Sequence, residues 1–308
     1  MKLGLLTAPF PETPLAEVSG WAAASGFDSL EIACFPPSKG KTRRYAGTSH
    51  IDVTDLSEGR AREIAGEITA KGLSISGLGY YPNPMHPDAE VRGAAIAHMK
   101  LVIEAAAKMG VPFFNTFMGG DSSKSQDANW QTALEIWPDI VAHAQDNGVR
   151  ITIENCPMIF SQDEWPGGNN IAWSPYIWRR ILEQWAGTVG LNYDPSHLVW
   201  LMIDQERFIG EFGPHILHVQ AKDVQIDRDG LYERGTLSAG IGWQVPRLPG
   251  LGEADWRRIF AALYRAGYDG DVIIEHEDRD FEGTDELVKR GFLIARDMLR
   301  PYIPLESR

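Results

Sequence analysis

Four apolar runs in the second half of the chain each end on side chains that can bind a cation or move a proton. They close on Ile153-Glu154-Asn155, on Asp194-Pro195-Ser196-His197, on His218-Val219-Gln220-Ala221-Lys222-Asp223 and on Ile274-Glu275-His276-Glu277. A carboxylate at the end of an apolar strand is costly to bury unless a cation or hydrogen bonds compensate. Three of them at one mouth would repel one another and raise one another's pKa values. A divalent metal removes that penalty. Glu154, Asp194 and Glu275 supply hard oxygen ligands, and Gln220 can add a carbonyl oxygen. Such a set suits Mg²⁺ or Mn²⁺ and still admits Co²⁺ or Zn²⁺. Any one of these side chains alone could cap a helix or pair with an arginine. Four in register on consecutive strands argue for a site.

Further residues near these ends could serve a substrate. Lys222 could neutralise an alkoxide or hold a carboxylate, or could simply be a solvated lysine. Arg247, in a loop braced by Pro246 and Pro249, is a candidate clamp for an anionic or hydroxylated group. Of ten tryptophans, Trp165 and Trp243 lie on loops near the ligand-bearing strands, where they could stack on sugar C–H faces. The others read as core or interface, because tryptophan buries so much area. Asn155 and His276 should point to the opposite side of their strands, and Glu277, with the parity of Glu275, could reach a substrate.

These residues need a frame that aligns strand ends. A short apolar run, a turn and a segment of helical period recur along the chain. The runs are 2–8, 28–34, 73–79, 111–117, 149–155, 188–194, 215–221 and 270–276, with helices between them. The helix carrying Trp130, Leu134, Trp137 and Val141 contains Pro138, which should kink it or begin its second half. Continuous apolar runs fit parallel strands buried on both faces. Eight βα units in 308 residues predict an α/β fold, a single (β/α)8 TIM barrel spanning 1–308 as one domain. A doubly wound sheet is the rival, but no G-x-G-x-x-G follows the first strand. The longest irregular stretches, 35–55 and 222–252, are where site loops are expected.

Composition narrows the partners. Lys+Arg 29 against Asp+Glu 42 leaves a net charge of −13, and there is no long basic run. Nucleic acid is therefore disfavoured. No stretch has the ~18 apolar residues of a membrane helix. Two cysteines fit a reducing compartment, so a cytoplasmic location is expected. The segment Gly119-Gly120-Asp121-Ser122-Ser123 could offer backbone N–H groups to an anion, but only Lys124 adds charge nearby. The sequence leaves a homo-oligomer open.

The four strand-end segments, together with Arg247-Leu248-Pro249-Gly250-Leu251-Gly252-Glu253-Ala254-Asp255-Trp256, resemble the sugar phosphate isomerase/epimerase branch of the xylose isomerase-like TIM barrel superfamily. Leu78-Gly79-Tyr80-Tyr81 and Asn115-Thr116-Phe117 are weaker matches in the first half. The resemblance implies a metal held by Glu154, Asp194, Gln220 and Glu275. Many relatives read His-x-His-x-Lys-Asp on the seventh strand with the second His on the metal. Here that position is Gln220, similar to the hydroxypyruvate isomerase-like members, so the ligand set is all oxygen. His218, two residues deeper, is then a supporting group behind the ligands or a replacement ligand.

The resemblance further implies isomerisation or epimerisation of a sugar or keto-sugar. A proton leaves a carbon beside a carbonyl while the metal stabilises the enediolate. Glu154 and Glu275 would exchange that proton as the catalytic pair, and His197 would sit near the metal or a substrate oxygen. A lyase using the same site is the alternative, by dehydration of an inosose-like polyol or elimination from a 3-keto-glycoside. Deglycosidase-type relatives often carry a His where this chain has Thr152, which counts against that version. An endonuclease IV-like nuclease would need more His ligands and a basic groove, and a non-catalytic barrel would not need intact carboxylates.

Overall fold

The computed structural model describes residues 1–37, 47–159, 168–236 and 243–303. Trp165 lies outside the described residues. Strands β1 (Lys2–Leu6), β2 (Ser29–Ala33), β3 (Ser74–Gly79), β4 (Phe113–Thr116), β5 (Arg150–Glu154), β6 (Val189–Tyr193) and β7 (Ile216–Ala221) pair in parallel. After a two-stranded antiparallel hairpin, β8 (Asp223–Ile226) with β9 (Gln244–Arg247), the strand β10 (Asp271–Ile274) enters between β7 and β1 and closes the barrel. The eight barrel strands are the eight expected ones. The hairpin is an addition that the irregular stretch 222–252 did not announce.

Helices α1 (Leu15–Ala24), α2 (Glu58–Thr69), α3 (Ala89–Met109), α4 (Gln126–Asp146), α5 (Pro175–Trp185), α6 (Pro195–Trp200), α7 (Gln205–Phe212), α8 (Arg228–Arg234), α9 (Trp256–Arg265) and α10 (Asp285–Leu299) follow in chain order. Their starts obey local chemistry. Ser57, Ser125 and Thr284 accept hydrogen bonds from Arg60 N, Ala128 N and Leu287 N, so side chains satisfy first-turn donors. Pro138 lies within α4, which runs unbroken through it. None of the described helices is long and apolar enough to cross a membrane.

The strands are not apolar on both faces, and that difference builds the site. Their outward residues, such as Leu3, Leu30, Ile32, Ile151, Ile153, Leu191, Val219 and Ile274, pack into one large core with Trp137, Trp178, Phe260 and Phe292 of the helices. The alternate positions face the lumen and are mostly polar. His218 on β7 reaches Ser76 on β3, 3.2 Å away, and Gln220 on β7 reaches Glu31 on β2 at 3.1 Å. Those strands are not neighbours in the barrel, so these contacts cross its interior. Both sets are buried, but the runs alternate apolar and polar residues and are not continuously apolar as expected.

Candidate active site

At the C-terminal rim, β5, β6 and β10 deliver Glu154, Asp194 and Glu275, whose carboxylate oxygens lie within 4.8 Å of one another. Glu154 is 2 % exposed and Asp194 0 %. The strand-ending turn at Asp194 gives its two oxygens different work. Oδ1 accepts from Ser196 N at 2.8 Å and caps α6, so the capping role considered for such a residue does occur. Oδ2 faces the two bases of the site, 3.0 Å from Lys222 Nζ and 3.1 Å from His197 Nε2. Asn155 fixes the same corner, donating to Asp194 O at 2.8 Å and accepting from Asp194 N at 2.7 Å.

Lys222 is not a solvated lysine. It is 4 % exposed, and its Nζ stands 3.0 Å from Asp194 Oδ2, 2.9 Å from Glu275 Oε2 and 3.5 Å from Glu277 Oε2. Burial works against its ammonium, but Asp194, Glu275, Glu277 and Glu154 outweigh burial and hold its pKa well above the ordinary lysine value. Burial alone would raise Asp194; Lys222 and His197 hold it well below the usual carboxylate range. Glu275 goes the other way, pushed up by burial and by Glu154 despite Lys222. His197 Nε2 lies 3.4 Å from Glu154 Oε1 and 3.1 Å from Asp194 Oδ2, and Trp200 Nε1 donates to its Nδ1 at 3.3 Å.

Deeper in the barrel runs a polar network that sequence reasoning largely missed. His218 Nδ1 is 2.9 Å from Asn192 Oδ1, and its Nε2 faces Ser76 Oγ and, at 3.4 Å, Asn115 Nδ2. Burial lowers its pKa to about 3, so it is a neutral imidazole. Both nitrogens are engaged below the rim, which fits a supporting group and not a replacement ligand. Thr152 Oγ1 donates to Asn115 Oδ1 at 2.7 Å. Gln220 donates through Nε2 to Glu31 Oε2 at 3.1 Å and Tyr81 Oη at 2.6 Å, while its buried Oε1 has no hydrogen-bond partner. Glu31 and Tyr81 were not expected here. The available signal was a lone carboxylate inside the apolar run Ser29-Leu30-Glu31-Ile32-Ala33.

Burial pushes the Glu31 carboxyl from 4.5 up to about 7, against hydrogen bonds from Tyr81, Asn115 and Gln220 that favour its charge. An acid whose folded pKa stands above its unfolded value gives stability that is fully present below the unfolded pKa and lost as pH rises through the folded one. Stability of the metal-free protein is therefore expected to fall between pH 4.5 and 7 by up to about 3 kcal/mol through this group. Glu31→Gln, with nothing to ionise, should lack that fall. Urea unfolding of both proteins across this range checks it, and parallel stability curves would remove Glu31 as its source.

The remaining candidates divide. Arg247 Nη1 is paired with Asp278 Oδ1 at 3.1 Å and Asp280 Oδ2 at 2.6 Å, bracing the hairpin against the loop after β10. Its Nε has no hydrogen-bond partner. Trp243 is 3 % exposed and stands edge-on behind Trp200, with ring centroids 6.1 Å apart, so it supports the wall behind His197. Asp223 holds the following loop, accepting from Gly250 N, Ala254 N and Trp256 Nε1. Cys34 and Cys156 are buried free thiols.

A cation fits this arrangement. If Glu154, Asp194, Glu275 and Glu277 are ionised and both Lys222 and His197 are charged, the cluster still carries −4 + 2 = −2. Gln220 Oε1 is a buried acceptor without a hydrogen-bond donor. Glu154, Asp194 and Glu275 are hard oxygen donors close enough together to share one divalent ion, which would supply the missing positive charge.

A family model described as xylose isomerase-like TIM barrel matches residues 20–298. The chain is 26% identical to the uncharacterised protein YfiH of Bacillus subtilis (strain 168), across 90% of this chain and 93% of that one. It is 31% identical to an inosose dehydratase of Geobacillus thermodenitrificans (strain NG80-2) over 36% of this chain and 38% of the relative. The D-psicose 3-epimerase of Clostridium cellulolyticum H10, solved with D-tagatose, shares the fold with a TM-score of 0.69 and 18% identity, across 99% of this chain and 100% of that chain.

Proposed function

The chain belongs to the xylose isomerase-like TIM barrel family, and from that premise we propose that it is a divalent-metal-dependent enzyme that isomerises or epimerises a sugar or keto-sugar. The observation that carries this reading is the gathering of Glu154, Asp194 and Glu275 oxygens within 4.8 Å at one rim, with the buried Gln220 Oε1 lacking a hydrogen-bond partner. Glu154, Asp194, Gln220 and Glu275 would hold the ion. The all-oxygen set favours Mn²⁺ or Mg²⁺ over Co²⁺ or Zn²⁺. When bound, the ion supplies positive charge opposite the oxygens of a substrate that is losing a proton.

The chain's own groups do the proton work. Glu154 ends β5 and Glu275 follows β10, with β6 and β7 between them in the barrel. They therefore flank the site from two sides, one to take a proton from a carbon beside a carbonyl and one to return it. Each has a donor partner, His197 beside Glu154 and Lys222 on Glu275, which steadies the carboxylate between the two steps. Support also comes from the likeness to a D-psicose 3-epimerase.

A second reading keeps the same proton abstraction and then expels a leaving group, and the match to an inosose dehydratase favours it. One experiment separates them. Protein loaded with Mn²⁺ is incubated with a panel of ketoses, inososes and 3-keto-glycosides in D₂O and followed by proton NMR. Deuterium entering beside the carbonyl with a shifted epimer or aldose–ketose ratio is the expected result. An unsaturated or dehydrated product moves the assignment to the lyase. No exchange with any member of the panel, together with no stoichiometric metal, sinks both.

A further inference from the structure

Gln220 differs from the carboxylate ligands in having two unlike ends. Its Oε1 can bind a cation and its Nε2 cannot, so the site depends on which end is turned inward. Nothing about the rotation of an amide settles this by itself. The neighbours do. Tyr81 Oη donates its one proton to Glu31 Oε1, so its lone pairs are left to accept, from Gln220 Nε2 at 2.6 Å and from Asn192 Nδ2 at 3.4 Å. Glu31 Oε2 accepts from the same Gln220 nitrogen at 3.1 Å. A reversed amide would set Oε1 against a carboxylate oxygen and a hydroxyl whose proton is already given away. That is an unpaired acceptor among acceptors in a dry interior, the costly case for a buried polar group.

We propose that Glu31 and Tyr81 are positioning residues that lock the Gln220 amide with its carbonyl oxygen toward the metal centre. The assignment rests on the metal-centre reading above. Its elements come from three strands that sequence proximity does not join: β2 for Glu31, the exit of β3 for Tyr81 and β7 for Gln220. The lock is built and not incidental. All three side chains lie in the lumen, Glu31 and Gln220 are 0 % exposed, and Gln220 Oε1 is left without any hydrogen-bond donor. The strand beside Glu31 leaves it space, because a Cβ on Gly79 would lie 2.6 Å from Glu31 Oε1 and 3.0 Å from Tyr81 Cε2.

The test is Mn²⁺ binding to metal-free protein at pH 8, by calorimetry and by the free-ion EPR signal, with thermal unfolding of the metal-free forms alongside. The parent should bind about one ion. Glu31→Gln and Tyr81→Phe should each bind it about 10- to 100-fold more weakly, the usual scale for groups that orient a ligand. Glu31→Gln should do so without a lower unfolding midpoint. Adding Gln220→His to Glu31→Gln should regain most of the affinity, since an imidazole lone pair does not depend on the amide's orientation. Unchanged affinity in both single variants overturns the lock while leaving the metal centre standing. Weakened binding with a lower midpoint and no rescue by histidine also overturns it, as a general packing defect. No stoichiometric binding by the parent overturns the metal reading itself, and the lock with it.

Discussion

Glu275→Gln should fold as the parent does and lose proton exchange at the substrate carbon by about 10²- to 10⁴-fold, the usual reach of a positioned acid–base group. The amide keeps the volume and one oxygen at the end of β10, so packing has no reason to change. It cannot take up a proton near neutral pH. Burial and the neighbouring Glu154 already push the Glu275 carboxyl above the ordinary carboxylate range. The Lys222 ammonium at 2.9 Å opposes that push. Deuterium wash-in from D₂O is the measurement, made with the substrate identified by the ketose panel. Wash-in and net isomerisation both at the parent rate would sink the assignment of Glu275 as an acid–base group. Retained wash-in with no net isomerisation would instead make Glu154 the abstracting group and Glu275 the returning one.

Lys222→Met should destabilise the metal-free protein by about 3–5 kcal/mol, the scale for removing one partner of a buried charge cluster. Methionine fills a similar volume, so the loss is electrostatic. Asp194, Glu275 and Glu277 are left facing one another without the ammonium that stands 2.9 to 3.5 Å from each. Two conditions should shrink the loss. Lower pH protonates the stranded carboxylates, and Mn²⁺ replaces the missing positive charge. Urea unfolding with chelator, with Mn²⁺ and at two pH values reads all of this. A midpoint equal to the parent's in chelator would show that Lys222 carries no such burden.

Much of the site was legible because it lies at strand exits. Glu154, Asp194, Gln220 and Glu275 each follow an apolar run, and a barrel brings the ends of its strands to one rim whatever the helices do. Asp194 illustrates why single-residue readings stay ambiguous. It caps α6 with one oxygen and turns the other to Lys222 and His197, so a structural role does not exclude a place in the candidate site. Arg247 and Trp243 stand out in the sequence only by their position near the ligand-bearing strands. Their partners, Asp278 and Asp280 for the one and Trp200 for the other, come from segments far away in sequence or around a turn. Loop position alone does not say which way such side chains turn.

Glu31 was hidden for a different reason. One carboxylate in an apolar strand has no periodicity, and its meaning depends on Tyr81 and Gln220, 50 and 189 residues away. The sequence by itself determined eight βα units, a parallel barrel and which acidic and amide side chains stand at its strand ends, because burial pattern and strand polarity are local properties of the chain. The tertiary structure alone decided which alternate residues turn into the lumen, how Lys222 is shared among carboxylates and which end of the Gln220 amide is presented. Those depend on closure of the barrel, which places non-adjacent strands within hydrogen-bond reach across a water-poor interior, where each donor must find its acceptor.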